Sequence, residues 1–398
     1  MSQIAIIGAG PAGLIAAERL AQAGHRVTVY DRMASPARKF LLAGRGGLNL
    51  THSEPMERFT TRYREAAEWL TPALDAFAPQ ALRDWADGLG AETFIGSSGR
   101  VFPKALKASP LLRAWLARLD GLGVSFRPRM RWLGFADGAL VLGGPQGEER
   151  VRPDATLLAL GGASWPRLGS DGSWVEILAG QGVTVAPLRP ANGGFRVAWS
   201  EYVAGRFAGT PVKRIALSFG GETVAGEAMI DREGIEGGAI YALSAALREA
   251  VLRDGQAELE IDLRPDLDLG VLTVKLAKRR KGETLSNHLR KAGLSPVAIA
   301  LLREGGALPE GPEALAARIK MLKLRLEGLF PLHRAISTAG GIARDEIDVG
   351  FMLKRMPGVF VAGEMLDWEA PTGGYLLQGC FATGVAAAEG IDRLLARA

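Results

Sequence analysis

The fold of this 398-residue chain is decided by the stretch IAIIGAGPAGLIAAERLA, which runs from Ile4 to Ala21. The apolar run that begins at Ile4 predicts a buried strand, and the chain from Leu14 to Ala23 has the pattern of a helix. Between them lies the glycine turn Gly8 to Gly13, GAGPAG, which also contains Pro11 and Ala12. Gly8 allows a tight turn, Gly10 lets the backbone approach a pyrophosphate, and Gly13 lets helix and strand pack closely. The sequence therefore predicts phosphates bound by free N–H groups at the helix start.

A second predicted strand, Arg26 to Tyr30, is followed by Asp31, which stands 18 residues after Gly13. A carboxylate at this spacing can accept hydrogen bonds from both hydroxyls of an adenosine ribose. A glycine motif without this context is often only a glycine-rich loop, whereas strand, turn, helix, second strand and acidic end together indicate a dinucleotide site. Asp31 also disfavours a 2′-phosphate and hence NADP.

The C-terminal part of the chain favours FAD over NAD as the dinucleotide. GVFVAGEM, from Gly358 to Met365, predicts a strand that runs into Gly363 and Glu364. The glycine cluster PTGGY, Pro371 to Tyr375, then opens a predicted final helix from about Leu377 to Ala396. A helix start near the N1–C2 edge of a flavin would stabilise the negative charge that develops there on reduction. The alternative interpretation is an ordinary strand, turn and helix.

Composition excludes several classes of protein. Cys380 is the only cysteine, so an intramolecular disulfide and a zinc site of cysteine ligands are excluded, and we expect a packing thiol. The four histidines have no metal-ligand spacing, so no metal site is predicted, and no G-x-S-x-G nucleophile motif is present. Because the sequence has neither a long apolar span nor the basic start of a signal peptide, we expect a cytoplasmic protein outside the membrane.

The middle of the chain changes character twice. From Gly194 to Asp262 short β-rich runs separated by glycines predict an antiparallel sheet or barrel. From Gly270 to Ala316 the apolar residues have helical spacing. Val271 to Arg325 contains twelve Lys and Arg against four Glu, a net charge of +8, although the whole chain carries only +5. This basic segment either binds a polyanion such as RNA or is a solvated helical surface.

Four stretches give the chain a family resemblance: GAGPAGLIAAERLA at Gly8, RKFLLAGRGGLNLT at Arg38, STAGGIARDEID at Ser337 and GVFVAGEMLDWEAPTGGYLLQGCFATG at Gly358. With them the chain resembles the bacterial flavoproteins long labelled NAD(FAD)-utilising dehydrogenases, which include aminoacetone-oxidase-like enzymes. The resemblance implies an α/β fold with a discontinuous, three-layer, Rossmann-type FAD-binding domain, an inserted β-barrel and a small helical subdomain. The domain boundaries that we predict are 1-190 plus 331-398 for the FAD-binding domain, 191-268 plus 321-330 for the barrel-like domain, and 269-320 for the basic helical insert.

The resemblance also implies which residues bind non-covalent FAD. The ADP half would be held by the glycine turn and Asp31, with Arg38 and Lys39 close by. The flavin would be held by a glycine-rich loop from Gly44 to Asn49 and by the turns at Gly161, Gly363 and Gly373. In that loop Arg45 would supply positive charge and Asn49 a hydrogen bond. The full predicted set is Gly8, Gly10, Pro11, Ala12, Gly13, Asp31, Arg32, Arg38, Lys39, Arg45, Gly46, Gly47, Leu48, Asn49, Gly161, Gly162, Gly363, Glu364, Gly373, Gly374, Tyr375 and Leu376.

Two positions depart from the family pattern. Gly47-Leu48-Asn49 stands where the family usually has Arg-Cys-Asn, so the resemblance implies no role of that cysteine in this chain. Leu376 stands where the family typically has asparagine, and one hydrogen bond to the ribityl chain or ring is therefore expected to be missing.

These observations predict an FAD-dependent oxidoreductase that passes a hydride through flavin N5 to or from a substrate held between the FAD-binding domain and the inserted domain. Three alternatives remain for its role: an enzyme for a small amine or carbonyl compound, an RNA-modifying reductase that converts uridine to dihydrouridine in ribosomal RNA, or a non-enzymatic flavin-binding protein. The electron donor would be NAD(P)H bound transiently or another protein, because no second glycine fingerprint follows. The sequence assigns no catalytic residue and leaves the oligomeric state open, and for His333 and Arg334 it favours a structural role.

Overall fold

The structure is a computed structural model that describes residues 1–397, apart from the side chain of Arg45. The chain divides into two units, each with its own core. The first unit combines Met1–Arg189 with the chain from Ser337 onward, and the second unit is Pro190–Ile336. The α/β unit is thus built from both ends of the chain and is discontinuous, as the sequence predicts. The second unit contains both the β-rich and the basic helical segments, and its further division into barrel and helical insert stays a prediction.

The strands have the following bounds: β1 Gln3–Ile7, β2 Arg26–Asp31, β3 Thr51–His52, β4 Thr93–Ile95, β5 Arg100–Pro103, β6 Ser125–Pro128, β7 Arg131–Ala136, β8 Ala139–Gly144, β9 Gly147–Val151, β10 Ala155–Leu158, β11 Val185–Ala191, β12 Phe195–Arg196, β13 Pro211–Phe219, β14 Glu222–Asp231, β15 Gly234–Glu236, β16 Ala257–Asp262, β17 Leu322–Leu326, β18 Gly328–Leu329, β19 Ser337–Ile342 and β20 Val359–Val361.

The helices have the following bounds: α1 Pro11–Gln22, α2 Arg38–Ala43, α3 Met56–Thr60, α4 Ala67–Ala76, α5 Pro79–Asp87, α6 Ala108–Gly121, α7 Trp174–Ala179, α8 Glu201–Arg206, α9 Gly238–Asp254, α10 Leu269–Ala277, α11 Leu285–Lys291, α12 Pro296–Glu304, α13 Pro312–Lys320 and α14 Tyr375–Leu395. Among the described residues, no helix is both long enough and apolar enough to cross a membrane.

The central sheet of the first unit is parallel and has the strand order β20-β10-β1-β2-β6. Ile4 to Ile7 are buried because β1 lies in the middle of this sheet, which explains the uninterrupted apolar run. The C-terminal strand β20 pairs with β10, so the two ends of the chain build one sheet. Helix α14 packs on α1, and a Cβ added to Gly384 would lie 2.5 Å from the Ala12 carbonyl oxygen.

The second unit is built on an antiparallel sheet with the order β17-β16-β13-β14-β15-β12-β18. Its two edge strands, β17 and β18, are separated in sequence only by Glu327, so the sheet must curl until its edges approach each other, as in a barrel. The interpretation of Gly194 to Asp262 as short strands and turns is wrong at two places, of which the first is the short helix α8, Glu201–Arg206. Helix α9 occupies residues 238–254, and it buries Ile240, Leu243 and Leu247 at helical spacing.

Four helices, α10 to α13, lie in the segment whose helical spacing and basic charge the sequence indicates. Three of them begin at side chains that cap the helix. The Asp268 carboxylate accepts a hydrogen bond from the Val271 N–H at 2.7 Å, and the Thr284 and Ser295 hydroxyls accept similar bonds at 3.2 Å. Because such caps satisfy amides that a helix leaves unpaired, they fix where each helix starts.

Candidate cofactor site

The glycine turn lies at the carboxyl end of β1, between the neighbouring strands β10 and β2. Gly8 has φ +108°, and an added Cβ would lie 2.2 Å from the Ala159 carbonyl oxygen. A Cβ on Gly13 would lie 2.0 Å from the Gly8 carbonyl oxygen, so both positions require glycine. Gly10 differs, because an added Cβ would meet no atom of the described residues within 4 Å. The α1 N-terminus therefore offers an open backbone cradle with Pro11 as the first helical residue.

Asp31, the last residue of β2, also forms hydrogen bonds that hold the glycine turn in place. One carboxylate oxygen accepts the Ala9 N–H at 2.7 Å, and the other accepts the Met33 N–H at 2.7 Å. Burial raises the pKa of Asp31, while the two amide hydrogen bonds act to lower it. An ionised carboxylate has about four acceptor positions, so two remain for the hydroxyls of a ribose. The fingerprint pattern did not reveal that Asp31 also holds the loop in shape.

Glu364 connects four segments at the carboxyl end of the sheet. Its carboxylate receives hydrogen bonds from the Lys39 Nζ at 2.6 Å, the Thr338 N–H at 2.9 Å and the Gly162 N–H at 3.4 Å. The Lys39 ammonium also donates to the Ser164 hydroxyl at 3.1 Å. Lys39, Gly162 and Glu364 were each predicted to bind cofactor, and the structure brings them together. Thr338 and Ser164 were not in the predicted set, although Thr338 stands inside the STAGGIARDEID stretch and Ser164 lies two residues after Gly162.

Close packing joins Gly363 to the N-terminal turn. Gly363 has φ +82°, and an added Cβ would lie 3.0 Å from the Ala12 Cβ and 3.9 Å from the Cys380 sulfur. Gly161 has φ +70°, and a Cβ there would approach the Ser170 hydroxyl at 3.2 Å. Burial, followed by the charge of Glu364, raises the pKa of Cys380 to about 12, so this side chain remains a thiol. The segments that follow β10 and β20 are therefore both packed directly against the turn that follows β1.

The loop after α2 has an acceptor group without a partner. Gly47 has φ +108°, and the Leu48 N–H donates to the Leu106 carbonyl oxygen at 2.9 Å. The Leu48 side chain is fully buried in the core, so only its backbone can contact a ligand. The Asn49 Oδ1 atom is buried and has no hydrogen-bond partner among the described residues. Gly46 has open space where a Cβ would stand, while the side chain of Arg45 lies outside the described residues.

Two of the predicted basic residues make local contacts. The Arg32 guanidinium forms an ion pair with Asp171 and donates to the Pro166 carbonyl oxygen at 3.2 Å. Arg38 donates to the Ser35 hydroxyl at 3.3 Å, and its buried Nε atom has no partner among the described residues. The Arg32 guanidinium is therefore already paired with Asp171, whereas the Arg38 Nε–H group can donate a hydrogen bond to a ligand.

The PTGGY turn begins α14 two residues earlier than predicted. Gly373 and Gly374 have φ +127° and +99°, and a Cβ on Gly374 would lie 2.5 Å from the Thr51 backbone. Tyr375 is buried, and its hydroxyl donates to Glu54 at 2.6 Å instead of being free for a ligand. Leu376, at the position where the family has asparagine, packs against the core.

A family model described as HI0933-like protein Rossmann domain matches residues 2–390. The chain belongs to this family. Among curated relatives, the 3-dehydro-bile acid delta(4,6)-reductase of Clostridium scindens is 25% identical to this chain. The alignment covers 96% of this chain and 97% of the relative. The ribosomal RNA dihydrouridine synthase of Escherichia coli is 24% identical over 96% of each chain.

Solved structures share the fold of this HI0933-like protein. The 3-ketosteroid-delta4-(5alpha)-dehydrogenase of Rhodococcus jostii RHA1 superposes with a TM-score of 0.52 at 16% identity and covers 98% of this chain and 96% of its own. The 3-ketosteroid delta1-dehydrogenase of Sterolibacterium denitrificans gives 0.53 at 12% identity and covers 99% and 100%. Membership of this family confirms the predicted FAD-dependent oxidoreductase, and the solved structures show that its fold is shared.

Proposed function

We propose that the first unit binds FAD non-covalently and that the protein transfers a hydride to or from a substrate. The observation that carries this proposal is the return of β20 to the sheet of β1, with Gly363 packed against Ala12. The open backbone at Gly10 and the unpartnered Asn49 Oδ1 also fit a dinucleotide that needs phosphate and flavin contacts. Bound FAD would supply hydride exchange at its N5 atom.

The residues of this chain would position the cofactor. In this proposal the Gly10 backbone and the α1 amides bind the pyrophosphate, Asp31 accepts from the ribose, and Asn49 accepts from the flavin. Glu364, already engaged by Lys39, orients the Gly162 and Thr338 backbone beside the ring. We assign no side chain to proton transfer with the substrate, and either NAD(P)H or a protein is proposed as electron donor.

The cofactor proposal is tested by release. The purified protein should be yellow, and heat or acid should release FAD into the supernatant, because no histidine or cysteine in the glycine turns offers an attachment point. Chromatography and mass analysis of the released compound identify it. Colour that stays with the precipitate would show covalent attachment, and recovery of FMN or NAD would contradict the assignment.

Two substrate classes are proposed, and the first is a small molecule. The bile acid reductase named above acts, as its name states, on a bile acid, which is a small molecule, and its alignment extends over nearly the whole chain. Small-molecule turnover would need no polyanion-binding surface. We would test it by mixing the reduced protein anaerobically with candidate unsaturated or carbonyl compounds and following flavin reoxidation. A compound that reoxidises the flavin faster than buffer alone supports this class, and failure of every compound tested argues against it.

The second class is RNA, and a specific surface favours it. Exposed cations cluster on α10, α11 and the loop between them, and the structure gives five of them no side-chain partner among the described residues: Lys275, Lys278, Arg280, Lys281 and Arg290. Arg279, by contrast, donates to the Glu283 carbonyl oxygen at 2.9 Å. Cations that neutralise phosphates release counterions, so RNA binding at this surface should weaken steeply as salt increases.

The RNA proposal is tested by replacing Lys278, Arg279, Arg280 and Lys281 with alanine. RNA affinity should fall and its salt dependence should flatten, while FAD content stays unchanged. The matched control removes the same charge elsewhere, at the exposed residues Arg129, Arg131, Arg150 and Arg152 of the first unit. Mass analysis of ribosomal RNA from a deletion strain then asks whether a dihydrouridine is lost. Equal RNA binding by all three proteins, with unchanged ribosomal RNA, would leave the small-molecule class.

A further inference from the structure

A polar cluster that the sequence did not predict surrounds Tyr375. Its centre is Glu54, in the loop between β3 and α3, whose side chain is only 9% exposed. The Glu54 carboxylate accepts the Tyr375 hydroxyl at 2.6 Å and two N–H groups of the Arg62 guanidinium at 2.9 and 2.8 Å. The ring of His52 stacks on the Tyr375 ring with 5.4 Å between centroids. We call Glu54, Arg62 and Tyr375 the carboxylate clamp.

The charges within the carboxylate clamp define its hydrogen-bond directions. The hydrogen bonds from Arg62 hold the pKa of Glu54 below its ordinary value, against the effect of burial, so the carboxylate is charged. Burial and the Glu54 hydrogen bond raise the pKa of Tyr375, so the phenol keeps its proton. Tyr375 therefore donates and Glu54 accepts. Hydrogen bonds to a charged group are stronger than those between neutral groups.

Further contacts connect Tyr375 to the glycine turn of α14. The Tyr63 hydroxyl donates to the Tyr375 carbonyl oxygen at 2.7 Å. Gly374 lies so near the Thr51 backbone that an added Cβ would clash at 2.5 Å. Since Tyr375 is the first residue of α14, fixing its ring also fixes the direction of the first helical turn. Among the described residues no side chain caps this helix.

We propose that Glu54 and Arg62 are positioning residues that, through Tyr375, hold the first turn of α14 against the flavin. The inference rests on the proposed FAD site and adds residues to it. Amides at a helix start stabilise negative charge, and their effect declines within the first turn. A small displacement of this turn should therefore weaken FAD binding and make the flavin harder to reduce, so the clamp influences both affinity and reduction potential.

The test is a double-mutant cycle on FAD affinity and flavin reduction potential, using Tyr375→Phe, Glu54→Gln and the double variant. Each single variant should raise the Kd for FAD by about 10-fold, and by no more than about 100-fold, the range for loss of a hydrogen bond to a charged group. Each should also make the potential more negative. The double variant should be little worse than Glu54→Gln alone, because Glu54→Gln already weakens the contact that Tyr375→Phe removes. Glu149→Gln, which weakens the Arg127 pair of 2.7 Å elsewhere in the first unit, is the matched control and should change neither quantity.

Several outcomes would overturn the inference. Single variants that bind FAD with parental affinity and potential would show that the clamp does not act on the flavin. Additive effects would show that the two side chains act independently. Lower stability of the apoprotein with an unchanged potential would show a merely structural role, and Tyr375→Phe, which removes one oxygen atom, makes that comparison if Glu54→Gln folds poorly. A parent protein that does not bind FAD would instead contradict the proposed function.

Discussion

Replacing Asp31 with alanine tests the glycine turn at its most informative position. The carboxylate accepts the Ala9 and Met33 amides at 2.7 Å each, so the variant loses two structural hydrogen bonds. In the proposed site it also loses the acceptor for the adenosine ribose. Asp31→Ala should therefore change two quantities, the free energy of unfolding of the apoprotein and the affinity for FAD.

The expected magnitudes follow from these contacts. Each hydrogen bond to a carboxylate contributes about 1.5–3 kcal/mol, but burial of the charge, which raises the pKa of Asp31, offsets part of it. We therefore expect the apoprotein to lose about 1–3 kcal/mol of unfolding free energy. Loss of the ribose contacts should raise the Kd for FAD by about 10- to 100-fold beyond the effect on folding.

Urea unfolding of the apoprotein and fluorescence titration with FAD measure the two quantities separately. The matched control is Asp154→Ala, because the Asp154 carboxylate accepts the Gln3 N–H at 2.7 Å beside the start of β1. This control should lose some stability and keep parental FAD affinity. If Asp31→Ala lost stability but bound FAD as tightly as the parent, Asp31 would serve only the loop, and its assignment to the ribose would be wrong.

The parts of the fold that the sequence predicted are those encoded by local patterns. The apolar run at Ile4, the glycine spacing and the position of Asp31 all lie within one strand-turn-helix-strand unit, where neighbouring residues determine the structure. The helical structure that contains α10 to α13 was predicted because the apolar residues from Gly270 to Ala316 repeat at helical spacing. Helix α9 has the same helical spacing at Ile240, Leu243 and Leu247, but the glycines around it favoured an interpretation as strands and turns.

The parts of the site that the sequence did not predict depend on contacts between residues far apart in the chain. Lys39 and Glu364 are 325 positions apart, and Glu54 and Tyr375 are 321 positions apart. Each of these residues belongs to a segment whose local structure could be predicted. The pairing of their side chains, however, depends on how α2, α3 and α14 pack in the folded protein. For that reason the sequence did not reveal that the Tyr375 hydroxyl is bonded to a carboxylate, while the position of Tyr375 beside the cofactor stays a prediction.

Three further predictions address other contacts. Glu18→Ala should lower the unfolding free energy by about 3–5 kcal/mol in urea, since it leaves two buried indole N–H groups and a guanidinium without their carboxylate. Gly374→Ala should lower the free energy of unfolding by about 1–3 kcal/mol, because Gly374 has a φ of +99°, and it should also weaken FAD binding. Gly205→Ala, at a helical position with open space for a Cβ, should have neither effect. The last prediction concerns pH. Because the folded protein holds the pKa of Glu54 below 4.5, its ordinary value, this carboxylate contributes stability that is complete above about pH 4.5 and is lost as the pH falls through the lower, folded value. Arg62→Ala removes the main cause of that lowering, so urea unfolding measured from about pH 6 to pH 3 should show a smaller loss of stability in the variant than in the parent. Parallel curves for the two proteins would show that Arg62 does not stabilise the charged form of Glu54.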